Sequence, residues 1–288
     1  MTKIVIGVDG SPQALAAVRW AAARAGLGDA RLNLVAVVPT WANEMAEGDP
    51  HASVGRWARE DGDRSLAEAR AAAEESRPGS SVSVERRGGE AWSGLTEAAR
   101  DADLLVVGSH GSGGYLDQLL GSVATWAAAA ADCPVVIVRE PKDPTVTGIV
   151  LGIDLSDPVL ADQDVAAFEF AATEASLRGV DLRVVAAERG WPGSAASRHR
   201  VLHDFTEQAG SALRRRLSAL LADASVRHPG LDLAGEVVAG HPVDALVAAS
   251  GKAELLVVGR RRRGSGLHLG SVANGAVHQA RCSVAVIP

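Results

Sequence analysis

Cysteine is nearly absent from this 288-residue chain, where Cys133 and Cys282 are the only two. That count excludes a disulfide-stapled scaffold and a zinc site of four cysteines, and it fits a reducing compartment. Aromatic residues make up only 3% of the chain, so its basic segments lack the interleaved rings on which single-stranded nucleic acid stacks. Positive charge is in deficit too, with 29 basic against 35 acidic residues and a formal charge of -6. This argues against a general binder of nucleic acid or anionic membrane, and any anion site must be local. No uncharged apolar stretch reaches the about 18 residues of a membrane span. After Met1 the chain enters Ile4-Val5-Ile6 without a leader-like apolar region or cleavage site. The expectation is a cytoplasmic protein with neither a membrane nor a nucleic-acid partner.

What is present is ordinary globular material, 47% hydrophobic and 22% charged. At about 150 residues per domain the length suggests two domains. An internal repeat supports that division. KIVIGVDGSP, Lys3 to Pro12, returns as GIVLGIDLSDP, Gly148 to Pro158, setting Gly7 against Gly152, Asp9 against Asp154 and Ser11 against Ser156. ADLLVVG ending at Gly108 returns as AELLVVG ending at Gly259, LLGSVA at Leu119 as HLGSVA at His268, and ADCPVVIV at Ala131 as ARCSVAVI at Ala280. The polar, proline-broken stretch from Glu140 to Thr147 separates the copies. The boundary is expected near Pro144, giving domains 1–143 and 144–288.

Within each copy, short apolar runs alternate with helical patterns, as in a parallel sheet with crossover helices. In the first copy the predicted strands are Ile4 to Val8, Leu32 to Val38, Val82 to Arg86, Leu104 to Val107 and Val135 to Val138. Ser11 reads as an N-cap with Pro12 at the first helical position, followed by Leu15, Val18, Ala22 and Ala25 at helical spacing and Gly26 as a stop. Ser156, Val165, Phe168, Ala172, Ala175 and Gly179 repeat this pattern. The fold class is α/β, two tandem doubly wound domains, each with a five-stranded parallel sheet.

Ligands of such sheets sit beyond the carboxyl ends of the strands. Asp9 follows the first strand there. Gly108, Gly111, Gly113, Gly114, Gly121 and Ser122 follow the fourth. Glycines let backbone N–H groups approach phosphate oxygens, and Gly121-Ser122 opens a helix whose N-terminus attracts anions. A Walker A loop would end in Gly-Lys-Ser/Thr, and a Rossmann fingerprint would have a third glycine where Leu116 stands, so neither applies. A phosphate cradle and a plain glycine turn are both consistent with this loop. An aspartate accepts hydroxyl donors well and repels phosphate, which assigns Asp9 to the nucleoside end of a nucleotide. His110 is either a phosphate donor or a solvent-facing loop histidine.

These residues resemble the universal stress protein family in its tandem actinobacterial arrangement. The likeness rests on GVDGS from Gly7 to Ser11 and on the Gly-x2-Gly-x9-Gly-Ser spacing of Gly108, Gly111, Gly121 and Ser122. It implies an adenine-nucleotide alpha-hydrolase-like fold and, in the first copy, an ATP site with accompanying Mg²⁺. In that site Asp9, beside Gly7, would hold the adenosine. A backbone group at Val37 would meet adenine, and Gly108, Gly111, Gly121, Ser122 and Val123 would line the phosphates. It further implies a homo-oligomer through pairing of the last strands, Val135 to Val138 and Val284 to Ile287.

The second copy keeps Asp154, Gly259, Gly270 and Ser271, but Arg262 replaces the second glycine and Ala187 replaces Val37. Thirteen positions separate Gly108 from Gly121 and only eleven separate Gly259 from Gly270, so its motif is degenerate. Arg260 to Arg263 either hold an anion or, the favoured reading, form a solvated basic turn. His199 and His203 have the spacing of metal ligands without a third partner, so no metal site is expected. Cys133 and Cys282 read as core residues. Trp41 and Trp57 read as packing on the sheet, or else as part of a lid. The resulting expectation is a nucleotide-dependent stress-response switch with no catalytic residue. Slow ATP hydrolysis, a cyclic-nucleotide ligand and a nucleotide-independent scaffold are the rivals.

Overall fold

The computed structural model describes the chain apart from residues 46–48, 50–51, 112–119, 141–142, 144, 189–199 and 262–268, and it describes 200–209 by backbone alone. Gly113, Gly114, Leu116, Asp117, Pro144, His199, Arg262, Arg263 and the His203 side chain lie outside the described residues. The chain divides into two compact units, one built on Met1–Glu140 and the other on Pro141–Arg261 with Gly270–Ile287.

In the first unit β1 (Thr2–Val8), β2 (Ala30–Val38), β3 (Val82–Gly88), β4 (Leu104–Gly108) and β5 (Val135–Val138) form a parallel sheet in the order β3-β2-β1-β4-β5. The apolar runs of β1, β4 and β5 are buried, as expected of parallel strands covered on both faces. The polar β3, with Glu85, Arg86 and Arg87, ends the order.

The helices are α1 (Pro12–Gly26), α2 (Thr40–Glu44), α3 (Ala52–Ser76), α4 (Ala91–Ala98) and α5 (Ser122–Ala130). Two neighbouring residues of β2 show how they are distributed. A Cβ on Gly62 of α3 would lie 2.9 Å from Val38, and one on Gly94 of α4 would lie 2.9 Å from Val37. Successive strand residues face opposite ways, so α3 and α4 cover opposite faces. α1 packs beside α3, and α5 packs beside α4, where the rings of Trp92 and Trp126 meet at 5.6 Å.

Helix α1 starts as its sequence predicts: Ser11 Oγ accepts from the Ala14 amide at 3.1 Å and Pro12 follows the cap. Its buried face is Ala14, Ala17, Val18, Ala21, Ala22 and Ala25. These small side chains bring the helix close to the sheet. Leu15 is only half-buried, and Gly26 is the last helical residue, with Leu27 closing the helix.

The second unit repeats the plan with β6 (Ile149–Ile153), β7 (Leu182–Glu188), β8 (Leu233–Ala239), β9 (Leu255–Gly259) and β10 (Ser283–Ile287), parallel in the order β10-β9-β6-β7-β8. Its helices are α6 (Asp162–Arg178), α7 (Arg200–Arg227), α8 (Pro242–Ser250) and α9 (Ser271–Gln279). One expectation is corrected here: Ser156 does not cap α6, which begins after Ala161 without a side-chain cap. Asp162 and Asp164 in the first turn complement the helix dipole instead. Val165, expected on the core face, is 44% exposed, whereas Phe168 is fully buried. The helix ends as predicted at Gly179, whose φ of 65° needs a residue without a Cβ. Cys133 and Cys282 are buried thiols, not joined in a disulfide.

Glu174 of α6 is buried, and Arg178 one turn on reaches it at 3.1 Å and also Glu254, just before β9, at 3.1 Å. Removing the cation would take the guanidinium away from a buried carboxylate. Arg178→Ala is therefore expected to lower the unfolding free energy by about 3 to 5 kcal/mol, read by urea denaturation. A loss typical of an exposed pair, below about 1 kcal/mol, would show that the pair is screened by solvent.

Candidate functional site

The strand order of the first unit reverses between β1 and β4, since β2 leaves β1 on one side and β5 leaves β4 on the other. Such a reversal parts the following loops and opens a crevice at the carboxyl ends of the strands. Asp9 immediately follows β1 there, and Ser109, His110 and Gly111 follow β4. Asp9 Oδ1 accepts from the Ser11 amide at 3.0 Å and the Ser11 hydroxyl at 2.6 Å. This local turn holds the carboxylate against the start of α1. Gly10 between them has φ of 76°, a conformation that favours glycine.

The glycines of the motif occupy tight places. A Cβ on Gly108 would lie 2.8 Å from the Gln13 carbonyl, so this glycine lets β4 approach the first turn of α1. A Cβ on Gly111 would lie 2.6 Å from Asp9 Oδ2, which brings the loop backbone onto the carboxylate. The Gly121 amide donates to the Ser109 carbonyl at 2.8 Å, and its Cα faces His110. Asp9, Gly108, His110, Gly111 and Gly121 are thus gathered in one crevice. Gly121 is the N-cap of α5 and offers no side chain, so the first-turn amides at Ser122 and Val123 have no side-chain cap. His110 Nδ1 lies 3.0 Å from Ser109 Oγ, while its Nε2 is buried without a hydrogen-bond partner. Such a nitrogen costs about 1 to 3 kcal/mol until a ligand or water satisfies it. The residue as a whole is half-buried.

Val37 lies at the end of β2, one residue beyond the Val8–Ala36 register pair, with its side chain against α4 and only its backbone left for the crevice. A Cβ on Gly7 would meet Leu95 of α4 at 2.8 Å, so this glycine lets α4 approach the sheet. Trp41 and Trp57 do not pack on the sheet, being 43% and 61% exposed on α2 and α3.

The second unit has the same reversal between β6 and β9. Asp154 follows β6 and accepts from the Ser156 amide at 2.8 Å. Gly259 packs against Gln163, and Gly270, the N-cap of α9, packs against Arg261 ahead of Ser271. Of the four arginines, Arg260 and Arg261 depart from the expected solvated turn, and Arg262 and Arg263 lie outside the described residues. Arg260 is 4% exposed, and Arg261 reaches Asp154 at 2.8 Å and Asp164 at 3.3 Å. Burial pushes the Asp164 carboxyl above its ordinary value, and the Arg261 guanidinium offsets part of that rise. Sequence reasoning missed this cluster. Its signal was the longer connection between Asp154 and the following helix.

Two doubly wound units in one chain, each with a glycine-bearing loop where the strand order reverses, define a tandem α/β protein. The model described as "Universal stress protein family" matches residues 1–139 and again 147–288, and the chain belongs to that family. Universal stress protein Rv2623 of Mycobacterium tuberculosis H37Rv is 33% identical to it, over 98% of this chain and 95% of that protein. Universal stress protein Rv2005c of the same strain is 32% identical, over 98% and 96%. A crystal structure of a universal stress protein from Archaeoglobus fulgidus shares the fold, with a TM-score of 0.69 over 99% of this chain and 97% of that one at 16% identity. Among the described residues no helix is long and apolar enough to cross a membrane, and no group of three His, Cys, Asp or Glu side chains is arranged to hold a metal ion.

The raised Asp164 value has a thermodynamic consequence. A carboxyl that binds its proton more tightly when folded stabilises the fold below its unfolded value, and this contribution is lost as pH rises through the folded value. Relative to Asp164→Asn, the wild type is expected to lose stability as pH climbs from the acidic carboxylate range toward neutrality. A difference in unfolding free energy that stays flat across that range would contradict the burial of Asp164.

Proposed function

We propose that the first unit binds ATP and that the chain acts as a nucleotide-dependent switch in the stress response. The observation that carries this reading is the contact of Gly111 with Asp9 beside the uncapped start of α5. A carboxylate accepts the two hydroxyls of a ribose, and the glycine backbone beside it leaves space that a side chain would fill. The amides at Ser122 and Val123 suit phosphate oxygens at a helix N-terminus. The buried Nε2 of His110 would find its missing partner in one of those oxygens. The Val37 backbone is available to adenine. Mg²⁺ would arrive with the nucleotide and neutralise phosphate charge.

In this reading the second unit does not take ATP. Its loop is two residues shorter than that of the first, with thirteen and eleven positions between the outer glycines. A switch is favoured over rapid turnover because Asp9 is engaged by Ser11 at the nucleoside end, away from the bond that hydrolysis would break. Slow hydrolysis is the second reading, and the buried Nε2 of His110 beside the first unit's loop is what favours it. Steady-state turnover abolished by His110→Ala would support that alternative.

Calorimetric titration of the full chain with MgATP is expected to give one site per chain, with AMP binding more weakly because it lacks the outer phosphates. Gly111→Val, which drives a side chain onto Asp9, is expected to weaken ATP by about tenfold or more, or at least 1.4 kcal/mol. The absence of any nucleotide heat would overturn the reading and favour a nucleotide-independent scaffold.

A further inference from the structure

The two units can be matched residue by residue through their glycine contacts. The space left by Gly108 is filled by Gln13 and that left by Gly259 by Gln163, so Gln163 corresponds to Gln13 and the next residue, Asp164, to Ala14. On the facing loop, counting from Gly108 and Gly259, Arg261 corresponds to His110. At two neighbouring positions, therefore, the second unit has a carboxylate and a guanidinium where the first has a methyl group and an imidazole.

These additions are bonded to each other and to the counterpart of Asp9. Arg261 Nη1 lies 2.8 Å from Asp154 Oδ2, and Nη2 lies 3.3 Å from Asp164 Oδ2. Arg261 thus spans two carboxylates, and the Asp164 side chain is only 6% exposed. The backbone around them is built to match. Ten positions separate Asp154 from Asp164, against five from Asp9 to Ala14, and the added residues delay the start of α6. Leu155, buried, stands where Gly10 has its positive φ, and no described residue other than glycine has a positive φ. The turn after β6 therefore takes a different path. Arg216 of α7 pins that path by donating to the carbonyls of Leu155 at 2.7 Å and Ser156 at 2.8 Å.

A charged hydrogen bond from a guanidinium to a carboxylate is stronger than one from a neutral hydroxyl. A ribose diol entering the second unit would have to displace Arg261 from Asp154 and leave Asp164 buried without its cation. We propose that Arg261 is a built-in occupant of the second unit's nucleoside position and that, anchored by Asp164, it decides that only one of the two units takes nucleotide. This rests on the reading of Asp9 as the ribose acceptor. It goes beyond loop length, which bears only on the phosphates.

The test uses adenosine, which has no phosphate and is indifferent to the shortened loop, with ATP measured in parallel on the full chain. Arg261→Ala with Asp164→Ala recreates the first unit's uncharged wall around Asp154. Equilibrium dialysis is expected to rise from one adenosine per chain in the wild type to two in this variant. One equivalent should persist when Asp9→Ala is added. Arg261→His with Asp164→Ala copies the first unit more closely and serves if the alanine pair does not fold, with far-UV circular dichroism and thermal melting as the check. A folded variant of either kind that gains no adenosine site overturns the proposal, as does a wild type that binds two. A wild type that binds neither adenosine nor ATP refutes the reading of the first unit. Even then, a site gained on removing Arg261 supports the occupant, and no gain refutes it.

Discussion

The reversal of strand order between β1 and β4 is the constraint on which the site depends. A parallel sheet ends all its strands on one side, while its crossover helices cover its two faces. Only where successive connections leave in opposite directions do the loops part. Asp9 and Gly111 come from segments about a hundred residues apart in the chain, and they touch because β1 and β4 are the two strands flanking that gap. Every other feature of the crevice refines it. Ser11 both anchors Asp9 and caps α1, so the helix start and the carboxylate are set by the same side chain.

Duplication gave the chain a second copy of this gap, and the copies have diverged where ligand contacts would be rather than in the sheet. Strand order, parallel pairing and the alanine-lined helix over the central strands recur in both units. The change is concentrated in the β6–α6 connection and in the loop after β9. Core positions are coupled to many neighbours, so their substitution costs stability, whereas loops over a crevice can change charge and length without disturbing the sheet. On the proposed reading, the second unit has kept its crevice while filling it from within.

The sheet was legible in the sequence because buried parallel strands are short, apolar and bounded by glycine or polar residues, as in Leu104 to Val107. The repeat then supported the first, fourth and fifth strands by their partners. Asp9 and the outer glycines were legible for the same reason. What escaped was set by tertiary contact. Ser156 has the chemistry of an N-cap, but the longer connection carries the helix start five residues further along. Asp164 looks like an ordinary first-turn acid, and Arg261 looks like one of four arginines in a polar turn. That they bond each other depends on β6 and β9 lying side by side, which no local pattern records. Gly7 belongs to the most recognisable motif of the chain, yet its role is to admit Leu95 from the helix above.

The Trp92–Trp126 contact gives the first unit an optical property of its own. Trp126 lies one turn beyond Ser122 on α5, and the ring it touches belongs to α4, which rests on Val37. One indole is therefore fixed to the helix that begins after Gly121, and the other to the helix over Val37. A shift of either helix changes the spacing and solvent exposure of two coupled chromophores. Of the six tryptophans in the chain, this pair is thus the one whose emission would report on the relative placement of α4 and α5.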